Sequence, residues 1–208
     1  RGKLCNFDCV YCECGWNKDG KQDTVLPTRN EVYQALVCRL EYLHQEGIAV
    51  DTITFSGNGE PTMHPDFPEI IDFTLSLRNE YFPSAKVSVL TNATRLGNED
   101  VRKALMKIDN PILKIDSPLK WMVDAINIPN EAYSLEKTIG NIKLFNHNFI
   151  LQTMFLKGEE GGVHIDCTAA EHVEKWRDLV RELAPREVMM YTIDRETPAK
   201  NLQKVTVE

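Results

Sequence analysis

The chain has 208 residues, 42% of them hydrophobic and 26% charged, with a formal net charge of −7. That balance excludes a mostly disordered protein, and a charge interrupts every apolar run well short of the roughly twenty residues of a membrane span. The acid excess builds in no long-range attraction to nucleic acid or anionic lipid, so a nucleic-acid partner is not favoured and a membrane partner is not expected.

Taken in order, the chain opens on its thiols. Cys5, Cys9, Cys12 and Cys14 crowd the first fourteen residues, while Cys38 and Cys167 stand alone. Six cysteines are too few for a disulfide scaffold at this length. With Arg1 in first place and no signal peptide, residues are expected to be missing ahead of it. Clustered thiols without a secretory signal read as metal-binding in a reducing compartment, the cytoplasm.

Thr28-Arg29-Asn30-Glu31 is a capping box, and Val32, Leu36, Leu40 and Leu43 follow at helical spacing until Gly47. Residues 51–56 read as a strand ending at Gly57, and residues 66–80 as a helix with Ile70, Phe73 and Leu77 on one face. A strand over 86–90 is closed by Thr91-Asn92, a short helix over 98–107 follows, and a strand over 112–115 ends at Asp116-Ser117. Leu135, Ile139, Ile142 and Phe145 make a helical stripe before the apolar strand 149–156. Glu159-Glu160-Gly161-Gly162 reads as a mobile loop. Thr168-Ala169-Ala170-Glu171 is a second capping box, opening a helix with Val173, Trp176, Leu179, Val180 and Leu183 inward. The last strand is 187–193, and residues 196–208 look like an extension.

Five strands alternate with helices, and their apolar runs suit strands covered on both faces. The expectation is a single α/β domain over residues 1–208 with parallel strands, curved into a partial (βα)6 barrel whose remaining strand precedes the cysteine loop. Polar residues close each strand: Ser56, Thr91-Asn92, Asp116-Ser117 and Asp194-Arg195. Ligands of parallel α/β folds bind at these carboxyl ends, so one shared site is predicted.

Cys5, Cys9 and Cys12 follow a C-x3-C-x2-C spacing, which lets one loop wrap one metal centre. A structural zinc takes four closed ligands, and a cubane iron–sulfur cluster normally takes four thiolates. Three therefore leave one iron open to a substrate or cofactor. Cys14 as a fourth ligand would close the site, giving a zinc-stabilised binding module or a non-catalytic iron–sulfur electron carrier.

This loop resembles the cluster motif of the radical S-adenosylmethionine (radical SAM) superfamily. Ser56-Gly57-Asn58-Gly59-Glu60-Pro61 resembles that family's GGEP segment, with Asn58 in place of the first glycine. The run Thr54 to Pro65, with Thr91-Asn92 and Tyr191 to Arg195, is similar to a branch of iron–sulfur oxidoreductases related to wyosine-type tRNA-modifying enzymes. The resemblance implies a 4Fe–4S cluster on Cys5, Cys9 and Cys12, whose open iron chelates SAM. It further implies reductive cleavage of SAM to a 5′-deoxyadenosyl radical that abstracts hydrogen from a substrate, with reduced flavodoxin or ferredoxin as electron donor. By the same resemblance Tyr11 lies near the adenine, Gly57, Asn58, Gly59, Glu60 and Pro61 face the SAM ammonium, and Asn92 and Asp116 reach SAM from strand ends. Lys114 and Gln152 match only in position along a strand.

Other residues carry plainer readings. Cys38 is expected as a buried small hydrophobe and Cys167 as a loop cysteine. His64 and His164 are left without a role, and Arg195 is either at the mouth of the site, pairing with an anion, or a surface arginine.

Overall fold

The computed structural model describes residues 3–20 and 25–206. Its frame is a five-stranded parallel sheet in the order β1-β2-β3-β4-β7. The strands are β1 (Thr52–Phe55), β2 (Lys86–Thr91), β3 (Asn110–Lys114), β4 (Ile150–Met154) and β7 (Glu187–Tyr191), each within a few residues of its predicted place. Between β4 and β7, two short strands leave this sheet: β5 (Leu156–Glu160) and β6 (Val163–Asp166), joined by β8 (Leu202–Lys204) in an antiparallel sheet ordered β6-β5-β8.

The helices are α1 (Asn17–Gly20), α2 (Arg29–Gln45), α3 (Phe67–Tyr81), α4 (Glu99–Lys107), α5 (Lys120–Asn127), α6 (Leu135–Lys143) and α7 (Ala170–Leu183). The predicted box at Thr28 forms: its side chain accepts from the Glu31 N–H, and the Glu31 carboxylate accepts from the Thr28 N–H at 2.7 Å. The register explains the division of the sheet's faces. Val87 and Val89 of β2, Leu113 of β3 and Leu151 of β4 bury one face against Phe67, Leu105, Ile142 and Leu179 of the helices. The alternate residues, Thr52, Ser88, Asn110, Lys114 and Gln152, give the other face its polar character, and Thr52, Ser88 and Asn110 hydrogen-bond across the strands. A second core lies under the cysteine loop, where Val10 and Tyr11 meet Ile126, Met154, Leu156, Ile165 and Trp176.

Several expectations need correcting. Glu159-Glu160-Gly161-Gly162 is not a loose loop: Glu160 pairs with Val163, and Gly161 and Gly162, both with positive φ, form the two-residue turn of the β5–β6 hairpin. The box at Thr168 does not form. The Asp166 carboxylate takes both the N–H and the hydroxyl of Thr168, and α7 starts one residue later than the box implies, with Ala169 at its N-cap and no side-chain cap. Cys38 is exposed, because α2 buries only Leu40 among its residues. Cys167 does lie in the loop between β6 and α7, but it is fully buried in the second core, with its N–H bonded to the Leu156 carbonyl. The segment read as an extension carries β8, and the Ala199 N–H donates to the Val10 carbonyl at 3.2 Å, tying it to the cysteine loop; its last two residues lie outside the described ones. Among the described residues no helix is long and apolar enough to cross a membrane.

Candidate functional site

The structure brings most of the predicted residues together at the carboxyl ends of the parallel strands. The cysteine loop crosses these ends, and three of the places that fasten it bear on the site. At one, Leu4 forms a parallel bridge with Gly59: the Leu4 N–H donates to the Asn58 carbonyl at 3.2 Å, and the Glu60 N–H to the Leu4 carbonyl at 2.8 Å. Gly59 sits at φ +136°, and a Cβ there would lie 1.9 Å from the Leu4 carbonyl oxygen. Only glycine permits this approach. At the second, α5 ends against the loop: Asp8 N–H reaches the Asn127 and Ile128 carbonyls, and Val10 N–H the Ile126 carbonyl at 2.9 Å. At the third, a clamp forms within the loop. The buried Lys3 ammonium donates to the Gly15 carbonyl at 2.9 Å and lies 3.5 Å from Asp8, while the Asn17 amide donates to the Cys5 and Phe7 carbonyls.

Cys5, Cys9 and Cys12 are each partly buried, and Cys14 is exposed. Burial pushes the Cys5 thiol up to about 11 and the Cys9 thiol to about 12. Cys12 goes the other way, to about 5, because the neighbouring Cys14 side chain and then the Lys3 ammonium favour its charged form. Burial opposes the charge on Lys3, but Cys12 outweighs it and the ammonium is held above its ordinary value.

The two candidate carboxylates are already paired within the chain. Glu60, buried, accepts from Thr62 N–H at 3.0 Å, from the Thr62 and Thr91 hydroxyls at 2.6 Å each, and from Asn92 N–H at 2.7 Å. It welds the turn after β1 to the end of β2. Asp116, also buried, accepts from the Tyr11 hydroxyl at 2.5 Å, Asn127 Nδ2 at 2.6 Å and Met154 N–H at 2.9 Å. Burial, then the neighbouring Asp116 charge, raises the Tyr11 phenol. Asn92 donates to Asn6 Oδ1 at 2.9 Å and accepts from Thr94. Ser56, Gly57 and Asn58 are exposed, and Pro61 is half-buried behind them.

Lys114 lies on the polar face of the sheet, between the rings of Tyr11 and Tyr191 at 4.7 and 4.5 Å and hydrogen-bonded to the Tyr191 hydroxyl. Gln152 is its register partner on β4. Arg195 is exposed and pairs with Glu13 at 2.7 Å. His64 ties Pro27 to the start of α3 and lines the cleft beside the Gly57–Pro61 turn, while His164 lies on β6. Clefts of about 400 and 700 Å³ border the site at Asn6 and at the Gly57–Pro61 turn.

Three sets of residues escape sequence reasoning. Asn127 belongs to α5, which has no capping side chain to announce it, although Met122, Val123 and Ile126 give it an inward face. Lys3 and Asn17 flank the cysteines without a motif. His172 is buried, bonding the Cys167 carbonyl at 2.8 Å and the Ser117 hydroxyl at 3.1 Å, and so supports the Asp116 turn from α7.

The donor set of Cys5, Cys9 and Cys12, all partly buried in one loop, fits a cluster held by three thiolates. Thiolates of an iron–sulfur cluster bind separate irons. Asn92 Nδ2 lies 3.7 Å from Cys5 Sγ and Asn127 Nδ2 3.3 Å from Cys9 Sγ, so two of the three sulfurs already face amide donors.

Known proteins of similar sequence and fold identify the family. A UPF0026 protein of Methanocaldococcus jannaschii is 26% identical over 99% of the chain and 61% of its own length. Another from Synechocystis is 29% identical over 96% of the chain and 69% of its own length. The chain thus spans about two thirds of these relatives. Among solved structures, Streptococcus suis SuiB bound to S-adenosylmethionine superposes with a TM-score of 0.68 at 15% identity, covering 99% of this chain and 42% of that one. It shows the same fold. The family model described as the radical SAM superfamily matches residues 1–162. The cofactors of that superfamily are a 4Fe–4S cluster and SAM, and this chain belongs to it.

Proposed function

We propose that residues 1–208 form the core domain of a radical SAM enzyme, in which Cys5, Cys9 and Cys12 hold the 4Fe–4S cluster and leave one iron open. Tyr11, Gly57, Asn58, Gly59, Glu60, Pro61, Asn92 and Asp116 form the SAM side of the site. One observation carries this reading: the bridge between Leu4 and Gly59 docks the three-cysteine loop onto the exposed Gly57-Asn58 turn at the end of β1. Cluster and SAM therefore have adjacent seats on one rigid support. When bound, they supply an electron and a 5′-deoxyadenosyl radical that takes hydrogen from a substrate.

The chain's own residues prepare that chemistry. The exposed peptide groups of Gly57 and Asn58 offer hydrogen bonds to the SAM amino acid portion. Glu60 and Asp116 act by locking the turns, since their oxygens already accept from the chain. Substrate approaches over the polar face that carries Lys114 and Gln152. The net charge of −7 argues for a protein or small-molecule substrate over RNA. Reduced flavodoxin or ferredoxin supplies the electron, and the reducing cytoplasm keeps the thiols free.

The test is anaerobic. Protein reconstituted with iron and sulfide, reduced with dithionite and given SAM is expected to release 5′-deoxyadenosine. Cys9→Ala should lose both iron and product, whereas Cys14→Ser should keep both. A fully loaded parent that yields no product, or a Cys9→Ala variant that keeps its iron, overturns the reading.

A further inference from the structure

Two of the three cysteine sulfurs meet an amide donor brought from outside the cysteine loop. Cys5 Sγ receives the Phe7 N–H at 3.4 Å and has Asn92 Nδ2 at 3.7 Å. Cys12 faces the Lys3 ammonium. Cys9 is served by Asn127, whose Nδ2 lies 3.3 Å away. Of these, Asn127 has the most firmly fixed position. It is the last residue of α5, buried at 3% exposure, and Ile128 after it turns left-handed at φ 41°. That turn presents the carbonyls of Ile126, Asn127 and Ile128 to the N–H groups of Val10 and Asp8, on either side of Cys9. The amide-to-sulfur distance is thus set by backbone hydrogen bonds as well as by a rotamer. The same Nδ2 donates to Asp116, which also holds the Tyr11 hydroxyl, so the amide has no freedom to swing away.

We propose that Asn127 donates a hydrogen bond to the Cys9 thiolate and thereby raises the reduction potential of the cluster. The inference rests on the cluster reading above. A donor at a cluster sulfur stabilises the reduced form, which carries one more negative charge, and so favours taking up the electron. Asn127 does no chemistry on SAM or substrate. Asn92 acts in the same sense at Cys5, across a longer gap.

The experiment is a potentiometric titration of the reconstituted full chain, followed by electron paramagnetic resonance of the reduced cluster. Asn127→Leu keeps the bulk and removes the donor. With full iron content, it should be about tenfold harder to reduce, equivalent to about 59 mV for one electron. Asn127→Ser, which shortens the donor out of reach, should shift the same way and carries the test if the leucine variant does not assemble. A full complement of iron with an unmoved potential in the variants overturns this inference alone. So does loss of the cluster in both variants, which would make Asn127 a folding residue. A parent chain that assembles no four-iron cluster overturns the cluster reading, and this inference falls with it.

Discussion

Replacing Gly59 with alanine should detach the cysteine loop from the sheet. The added Cβ would sit 1.9 Å from the Leu4 carbonyl oxygen and 2.6 Å from its carbon, backbone atoms with no rotamer in which to escape. Two hydrogen bonds join the segments there, Leu4 N–H to Asn58 and Glu60 N–H to Leu4, and each contributes about 1 kcal/mol. Holding alanine at φ +136° adds strain of about 1–3 kcal/mol, for a total of about 3–5 kcal/mol. In a domain of this size that corresponds to a fall in Tm of about 10 °C, or to release of the loop at lower cost to the remainder. Gly57→Ala is the matched control, since a Cβ at Gly57 meets nothing within 4 Å. The assays are a thermal melt and iron content after anaerobic reconstitution. A Gly59→Ala variant that melts with the parent and holds the same iron would refute the reasoning, as would equal damage from the two substitutions.

Asp109 should make stability depend on acid. Burial opposes its ionisation, but Val87 N–H at 2.9 Å, Arg78 at 2.8 Å and Lys86 at 3.2 Å overcome that and hold its carboxyl at about 2, below the ordinary 3.8. A lowered native pKa gives stability that is present above the unfolded value and lost as pH falls from about 4 toward 2. Asp109→Asn should cost about 1–2 kcal/mol in urea at pH 7, with the gap to the parent narrowing over that acid range; a pH-independent gap would contradict it. The two isolated cysteines should separate sharply in denaturant unfolding. Cys38→Ser, at an exposed position, should change stability by less than about 0.5 kcal/mol. Cys167→Ser buries a hydroxyl in the second core and should cost about 1–3 kcal/mol; equal effects would show that Cys167 is not enclosed.

The sequence made the parallel strands and the cysteine loop legible, since both depend on local spacing. What it hid depends on competition between partners. Thr28 and Thr168 open the same four-residue pattern, yet only Thr28 caps a helix, because Asp166 stands close enough to claim the hydroxyl and N–H of Thr168. Cys38 stands beside Val37 on α2 and reads as a buried small hydrophobe, but an apolar neighbour in sequence does not report how much covers that face. α2 packs against α3 and buries only Leu40. The antiparallel sheet was obscured by charge, since Glu159 and Glu160 masked the two-glycine turn that follows them. α5 lacked a start signal, and with it went Asn127, the residue that carries the amide to Cys9.

Glu60 and Asp116 show where residue type and position together stop being informative. At the end of a parallel strand, a carboxylate aimed at a ligand and one aimed at the chain's own N–H groups look identical in sequence. Here the surroundings decide. Glu60 collects four donors from the 61–63 turn and the end of β2, and Asp116 collects three from the cysteine loop, α5 and the end of β4. Each replaces water with hydrogen bonds from the chain, which is what lets a buried carboxylate persist. One fixes β1 to β2, and the other fixes β3 to β4 and to Tyr11, one residue before Cys12. The two welds hold both sides of the site before any ligand arrives. Binding can then draw on peptide groups that are already in place, without ordering a loop at the moment of association.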